Sequence, residues 1–197
     1  MKLCFVTNNA NKVQEITTAL GDQFDILTLS QIGFTEDIPE TEETLEGNSE
    51  LKARHIYDRF HLDCFADDTG LEVDALNGAP GVYSARYAGE KADAEKNIDK
   101  LIAELEGTTD RNAQFRTIIT LLLHGEKHQF VGEVKGTISE KRMGEKGFGY
   151  DPVFVPEGYD ISFAQMSMEE KNVISHRGKA VRKLIEFLNS LDTSAPQ

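Results

Sequence analysis

Both strands and helices are expected of this chain. In the first half, short apolar runs alternate with segments whose apolar residues recur at helical spacing. Two long β-rich runs, 115–123 and 129–138, then follow one another directly. At 197 residues the chain fits one domain, or one domain with two lobes, and is long enough to bury a core.

Composition narrows the class of partner. With 34 acidic against 21 basic residues the formal charge is −13, which repels the phosphate backbone of DNA or RNA and argues against a nucleic-acid polymer. A small anionic substrate needs only a local cluster of cations. No apolar run reaches the length of a membrane span, and the one near the N-terminus is too short for a secretory segment, so a soluble, cytoplasmic protein without a membrane partner is expected. Cys4 and Cys64 both sit in apolar runs and read as buried free thiols, as suits a reducing compartment.

Taken in order, Leu3 to Thr7 reads as a buried strand and Asn8 to Lys12 as a polar turn. A helix follows, with Val13, Ile16 and Leu20 on one face and Gly21 as its stop. Strand, turn and helix start in that order place backbone N–H groups and Lys12 where an anion can sit. The turn lacks the glycines of a Walker loop, and an Asn-rich helix cap accounts for it equally. Phe24 to Leu29 is a second short strand. In the acidic run Glu36 to Glu43, Pro39 rules out a helix interior, and one of these acids is in reach of a metal. The next helix spans about Thr44 to Phe60, with Ser49, Ala53, Ile56, Tyr57 and Phe60 as its buried stripe and Asn48 and Lys52 on a neighbouring face, where surface decoration is the simplest reading of the lysine.

Cys64 to Asp68 begins another strand, which Gly70 interrupts before Leu71 to Val73. Asp67 and Asp68 stand out there. Two ionised carboxylates roughly 4 Å apart repel by about 1 kcal/mol in water and about 4 kcal/mol at intermediate dielectric. A divalent cation removes that cost and would make the stretch a Mg²⁺-dependent phosphate site. A turn between two hairpin strands explains Asp67 to Gly70 as well.

Residues 74–89 form a structured loop rich in Gly, Ala and Pro. Ala92 to Glu106 is helical, with Ile98, Leu101, Ile102 and Leu105 on one face. Phe115 to Leu123 and Gln129 to Ile138, separated by residues 124–128, read as an antiparallel pair. Lys146 to Pro152 is a glycine-flanked aromatic turn in which Phe148 either stacks on a base or forms a corner, and Val153 to Val155 is a strand. Ser175 then caps a helix with Val181, Leu184, Ile185 and Leu188 on its face. His176 and Arg177 in its first turn oppose the helix dipole, so an anion bound there explains them better than a structural role. The tail from Asp192 to Gln197 is expected to fray.

Five motifs in sequence carry a resemblance: Thr7-Asn8-Asn9-Ala10-Asn11-Lys12, Ala66-Asp67-Asp68-Thr69-Gly70-Leu71, the run from Gly78 to Tyr87, Gly147-Phe148-Gly149-Tyr150-Asp151-Pro152, and Glu170 to Arg177. Together they are similar to the dITP/XTP pyrophosphatases, the inosine triphosphate pyrophosphatase family, over Met1 to about Leu191. Asn8 stands where many members carry Gly, and Thr69 where many carry Ser. The resemblance implies an α/β fold with a long central mixed β-sheet and flanking helices, one domain over residues 1–191 with two lobes around a substrate cleft, and a homodimer. It implies Mg²⁺-dependent hydrolysis of a purine nucleoside triphosphate such as XTP, ITP or dITP to the monophosphate and pyrophosphate. Thr7, Asn8, Asn9, Ala10, Asn11 and Lys12 would bind the triphosphate. Glu40 and Asp68 would hold Mg²⁺, and Asp68 would also accept the proton of the attacking water. Lys52, Thr69, Phe148, Gly149, Tyr150, Asp151, Lys171, His176 and Arg177 would contact substrate. Asp67 would orient Asp68 or bind the metal through water. A pyrophosphatase for pyrimidine or modified nucleotides and a nucleotide-binding regulator without turnover are the competing readings.

Overall fold

The computed structural model describes residues 1–192. Its framework is a mixed sheet of seven strands: β1 (Lys2–Phe5), β2 (Asp25–Thr28), β3 (Cys64–Val73), β4 (Pro80–Gly81), β5 (Asn112–Leu123), β6 (Glu126–Ile138) and β7 (Phe154–Pro156). The order is β2-β1-β3-β5-β6-β7, with β4 paired to β3 off this path. The helices are α1 (Ala10–Leu20), α2 (Leu45–Phe60), α3 (Ala94–Glu104), α4 (Met168–Ile174) and α5 (His176–Asp192), accompanied by short 3₁₀ turns.

β1 runs parallel to both of its neighbours, β2 and β3. The crossover through α1 therefore leaves β1 on one side and the crossover through α2 returns on the other. That reversal of strand order is where open α/β sheets bind ligands, at the carboxyl ends of the strands. β5 and β6 are sheet neighbours joined by His124 (φ 51°) and Gly125 (φ 86°). A two-residue connection permits only an antiparallel hairpin, and two positive φ values match its twist.

The residues divide into two compact units. One comprises 1–68, 117–132 and the chain from Arg177 onward, and the other Thr69–Arg116 and Glu133–His176. In the first unit the alternation of strand side chains produces two apolar clusters. Leu3, Phe5, Phe65, Ile119 and Leu121 pack with Ile16 of α1 and with Val181, Leu184 and Leu188 of α5. Cys4, Val6, Cys64, Ala66 and Leu122 pack with Ala53 and Ile56 of α2. Strands buried on both faces read as the continuous apolar runs seen in the sequence. The second unit has its own cluster, in which Leu71, Val73, Phe115, Val134, Ile138 and Phe154 surround Ile98 and Leu101 of α3.

Several expectations are corrected. α1 begins at Ala10, so Asn11 and Lys12 lie in its first turn and not in the preceding loop, because Asn9 caps the helix. β3 runs unbroken from Cys64 to Val73, which removes the hairpin turn at Asp67 to Gly70. Gly70 is required there for a different reason: a Cβ would lie 2.8 Å from the carbonyl oxygen of Gly81 on β4. The β5–β6 turn is His124–Gly125 alone, α3 is shorter at both ends than 92–106, and the final strand is shifted by one residue. α4 was not anticipated; Ser175 ends it and directly precedes α5. Asp192 closes α5, and the rest of the expected frayed tail, 193–197, lies outside the described residues.

Candidate active site

The expected site residues fall into two clusters, one in each unit. In the first unit the turn after β1 is built by its own polar side chains. Thr7 Oγ1 accepts from the Asn9 N–H at 3.1 Å, and Asn9 Oδ1 accepts from the N–H groups of Asn11 (3.0 Å) and Lys12 (3.3 Å). This cap satisfies two of the orphan donors of α1. Asn8 donates through Nδ2 to Asp37 Oδ1 at 3.0 Å and so ties the turn to the acidic segment. A cavity of about 420 Å³ opens beside the turn, lined by Thr7, Asn8, Ala10, Val13, Thr28, Leu29, Ser30, Phe34 and Thr35.

Because β3 does not break, Asp67 and Asp68 project to opposite faces. Asp67, 1% exposed, receives Lys12 Nζ on Oδ1 at 3.1 Å and Arg177 Nε on Oδ2 at 3.2 Å, and Arg177 also pairs with the buried Glu15. Burial alone would raise the pKa of Asp67, but Lys12, Arg177 and Lys52 outweigh it and hold the group below the usual carboxylate range. Asp68 is raised instead, chiefly by burial, with Glu40 and Asp67 adding to the effect and Lys52 and Lys12 opposing it. Lys52 is only 8% exposed, not surface decoration. Its Nζ donates to Glu40 Oε1 (2.6 Å) and to the Asp67 carbonyl (2.8 Å) and lies 3.6 Å from Asp68 Oδ1. Burial pulls its pKa down, yet Asp68, Glu40 and Asp67 carry it above the ordinary lysine value. Asn48, which the sequence reading gave no role, accepts from the Glu42 N–H at 2.9 Å and anchors the Glu40 segment to α2.

Asp68 Oδ2 is buried and makes no hydrogen bond among the described residues. That orphan oxygen beside Glu40 fits a divalent cation. Among the described residues no cluster of three or more metal-ligating side chains exists, so remaining ligands would come from water and substrate. An oxygen-only, two-carboxylate donor set suits Mg²⁺.

In the second unit Asp151 is the organiser. Its Oδ2 accepts from the Phe148 N–H at 2.9 Å and from Lys171 Nζ at 2.6 Å. Lys171 Nζ lies 5.0 Å from the centre of the Phe148 ring, which remains half-buried. A Cβ on Gly147 would collide with Asp151 Oδ2. Gly149 (φ 61°) completes the turn. Tyr150 belongs to the core, and its hydroxyl donates to the Ser84 carbonyl at 2.7 Å. His176 stacks on Phe115 with ring centres 4.6 Å apart. Arg177 and His176 thus have structural partners at the start of α5, the position whose basic character had pointed to an anion. Thr69 follows Asp68 in β3 and is half-buried.

Glu15, the buried partner of Arg177, is a further residue of this cluster, not among those expected. Lys12 and Glu15 are three apart on α1 and therefore share a helix face, which is the signal that relates them.

A parallel switch point that carries a lysine-bearing turn and a buried carboxylate pair defines an α/β protein built to hold phosphate. The sequence profile of the Ham1 family matches residues 3–187, and the chain belongs to that family. It is 55% identical over 190 residues to the dITP/XTP pyrophosphatase of Flavobacterium psychrophilum, covering 96% of this chain and 100% of that protein. It is 54% identical over 190 residues to the dITP/XTP pyrophosphatase of Flavobacterium johnsoniae, covering 96% and 99%. The solved structure of the Staphylococcus aureus Ham1 protein superposes with a TM-score of 0.87 at 40% identity, covering 96% of this chain and 99% of that one.

Proposed function

We propose that this protein is a nucleoside-triphosphate pyrophosphatase that removes dITP, XTP and ITP from the nucleotide pool, with Mg²⁺ as its cofactor. The observation that carries the reading is Asp68: a buried carboxylate with a raised pKa and an unsatisfied oxygen, set among Lys52, Lys12 and Glu40. Full-length similarity to proteins named for this activity supports it.

Asp68 accepts the proton of the attacking water. The water oxygen bonds to the α-phosphorus, the bond from that phosphorus to the α–β bridging oxygen breaks, and pyrophosphate leaves. Glu40 and Asp68 would hold Mg²⁺, which supplies neutralisation of the departing charge. Thr7 to Lys12 and Lys52 hold the phosphates, the two lysines through their ammonium groups. General-base help is worth on the order of 10²–10⁴-fold, so positioning and charge carry most of the acceleration. Phe148 offers its ring to the base, while Lys171 offers a donor to a 6-oxo group; the 6-amino group of adenine would set donor against donor. Thr69, Gly149 and His176 complete the substrate contacts. The protein acts in the cytoplasm as a homodimer, a state that sedimentation equilibrium checks directly.

The test is pyrophosphate release from XTP, dITP and ATP with Mg²⁺, with EDTA, and in Asp68→Asn. Release from XTP and dITP, at least 10²-fold slower in the variant and abolished by chelation, is expected. Nucleotide binding without pyrophosphate release under any divalent metal would sink the reading.

A further inference from the structure

We infer that Asp67 is a positioning residue that acts through Lys12, and is neither the base nor a metal ligand; this deepens, and rests on, the pyrophosphatase reading. Both carboxylate oxygens are committed. Oδ1 accepts from Lys12 Nζ and Oδ2 from Arg177 Nε, while Arg177 is clamped from its other side by Glu15. Glu15, Arg177 and Asp67 are all buried, and the series Glu15, Arg177, Asp67, Lys12 alternates in sign. A metal ion at Asp67 would face two cations across one carboxylate.

Geometry explains why an acid is needed here at all. Lys12 sits in the first turn of α1, where the helix dipole disfavours a cation. A flexible lysine stem spreads its ammonium over many rotamers unless something holds it. The Asp67 side chain is fixed by β3 and by Arg177, so it presents Lys12 to the carboxyl end of β1 in one orientation. The Asp67 carbonyl, which substitution does not remove, holds Lys52 separately. Arg177, buried and still paired with Glu15, keeps a carboxylate partner, so loss of the Asp67 carboxylate is expected to reach the phosphates through Lys12.

The experiment uses the full chain as wild type, Asp67→Asn, Lys12→Met and the double variant, with inorganic tripolyphosphate binding by calorimetry, Mg²⁺ half-saturation and XTP kinetics as readouts. In Asp67→Asn the tripolyphosphate dissociation constant should rise about tenfold to a hundredfold, the size of a lost charge-assisted hydrogen bond. Its KM should rise with it, more than kcat falls, and Mg²⁺ half-saturation should stay within about twofold. The double variant should bind tripolyphosphate as Lys12→Met does, because nothing remains for Asp67 to position. If Asp67→Asn fails to fold, the double variant, which removes anion and cation together, makes the same comparison. Unchanged tripolyphosphate affinity, a tenfold shift in Mg²⁺ half-saturation, or a double variant a further tenfold weaker would each overturn the proposal. Wild-type protein that binds tripolyphosphate without turning over XTP would overturn the pyrophosphatase reading while the binding comparison still decides the role of Asp67.

Discussion

Asp67 and Asp68 are adjacent and chemically identical, yet their surroundings push their acidities apart. Asp67 lies between Lys12 and Arg177, and Asp68 lies buried near Lys52 and a second carboxylate. Under the proposed reaction that separation matches the two roles, Asp67 staying an ion-pair partner and Asp68 accepting a proton. The Asp67 shift has a pH signature. Its folded-state value lies below the unfolded value of about 3.9, so the stability it contributes is fully present above that pH and is lost as pH falls through the folded value. Breaking a buried pair by removing one partner costs about 3 kcal/mol. Urea unfolding of wild type and Asp67→Asn should therefore differ by roughly that amount at neutral pH, with the gap flat down to about pH 5 and closing in acid. A gap that persists unchanged at pH 2 would contradict the ion-pair assignment.

At the scale of elements, the turn at Gly147 to Asp151 is the one whose backbone and chemistry are least separable. Gly147 has φ 75° and no room for a Cβ beside Asp151. A left-handed conformation costs a residue with a side chain roughly 1–2 kcal/mol. Gly147→Ala should lower stability by at least about that much and raise KM for XTP, while leaving tripolyphosphate binding unaltered; equal weakening of both ligands would place Phe148 outside base recognition. Cys4 and Cys64 are register partners on β1 and β3, and burial pushes Cys4 up to about 11 and Cys64 higher still. Neither thiol should react with DTNB in the native protein, and both should react in guanidinium. Much of this architecture is legible in the sequence, since apolar runs specify strands and Gly21 and Thr44 mark helix ends. What was not legible depends on partners far along the chain. Lys52 reads as surface until Glu40 and Asp68 are placed beside it. Gly70 reads as a break until Gly81 is brought against it. α4 is a different kind of miss, because Ser167 and Glu170 form a reciprocal capping box that local spacing does announce.

For the molecule as a whole, the formal charge of −13 and the cation cluster around Asp67 coexist because they act at different ranges. At physiological salt fields fade over about 8 Å, so a polymer feels the acidic surface while a small polyanion in the cluster feels its lysines. A fluorescent DNA duplex should show no anisotropy change with the protein even at low salt; saturable binding would overturn that charge argument. Arg177 reaches back 110 residues to Asp67 and 162 to Glu15. Contacts of such separation form late and slowly. On the ribosome, β1 and β3 will have emerged long before their arginine is translated, and Asp67 must wait with a lysine alone for company. A chain stopped at Ser175 lacks that arginine and should neither complete its first unit nor hydrolyse XTP.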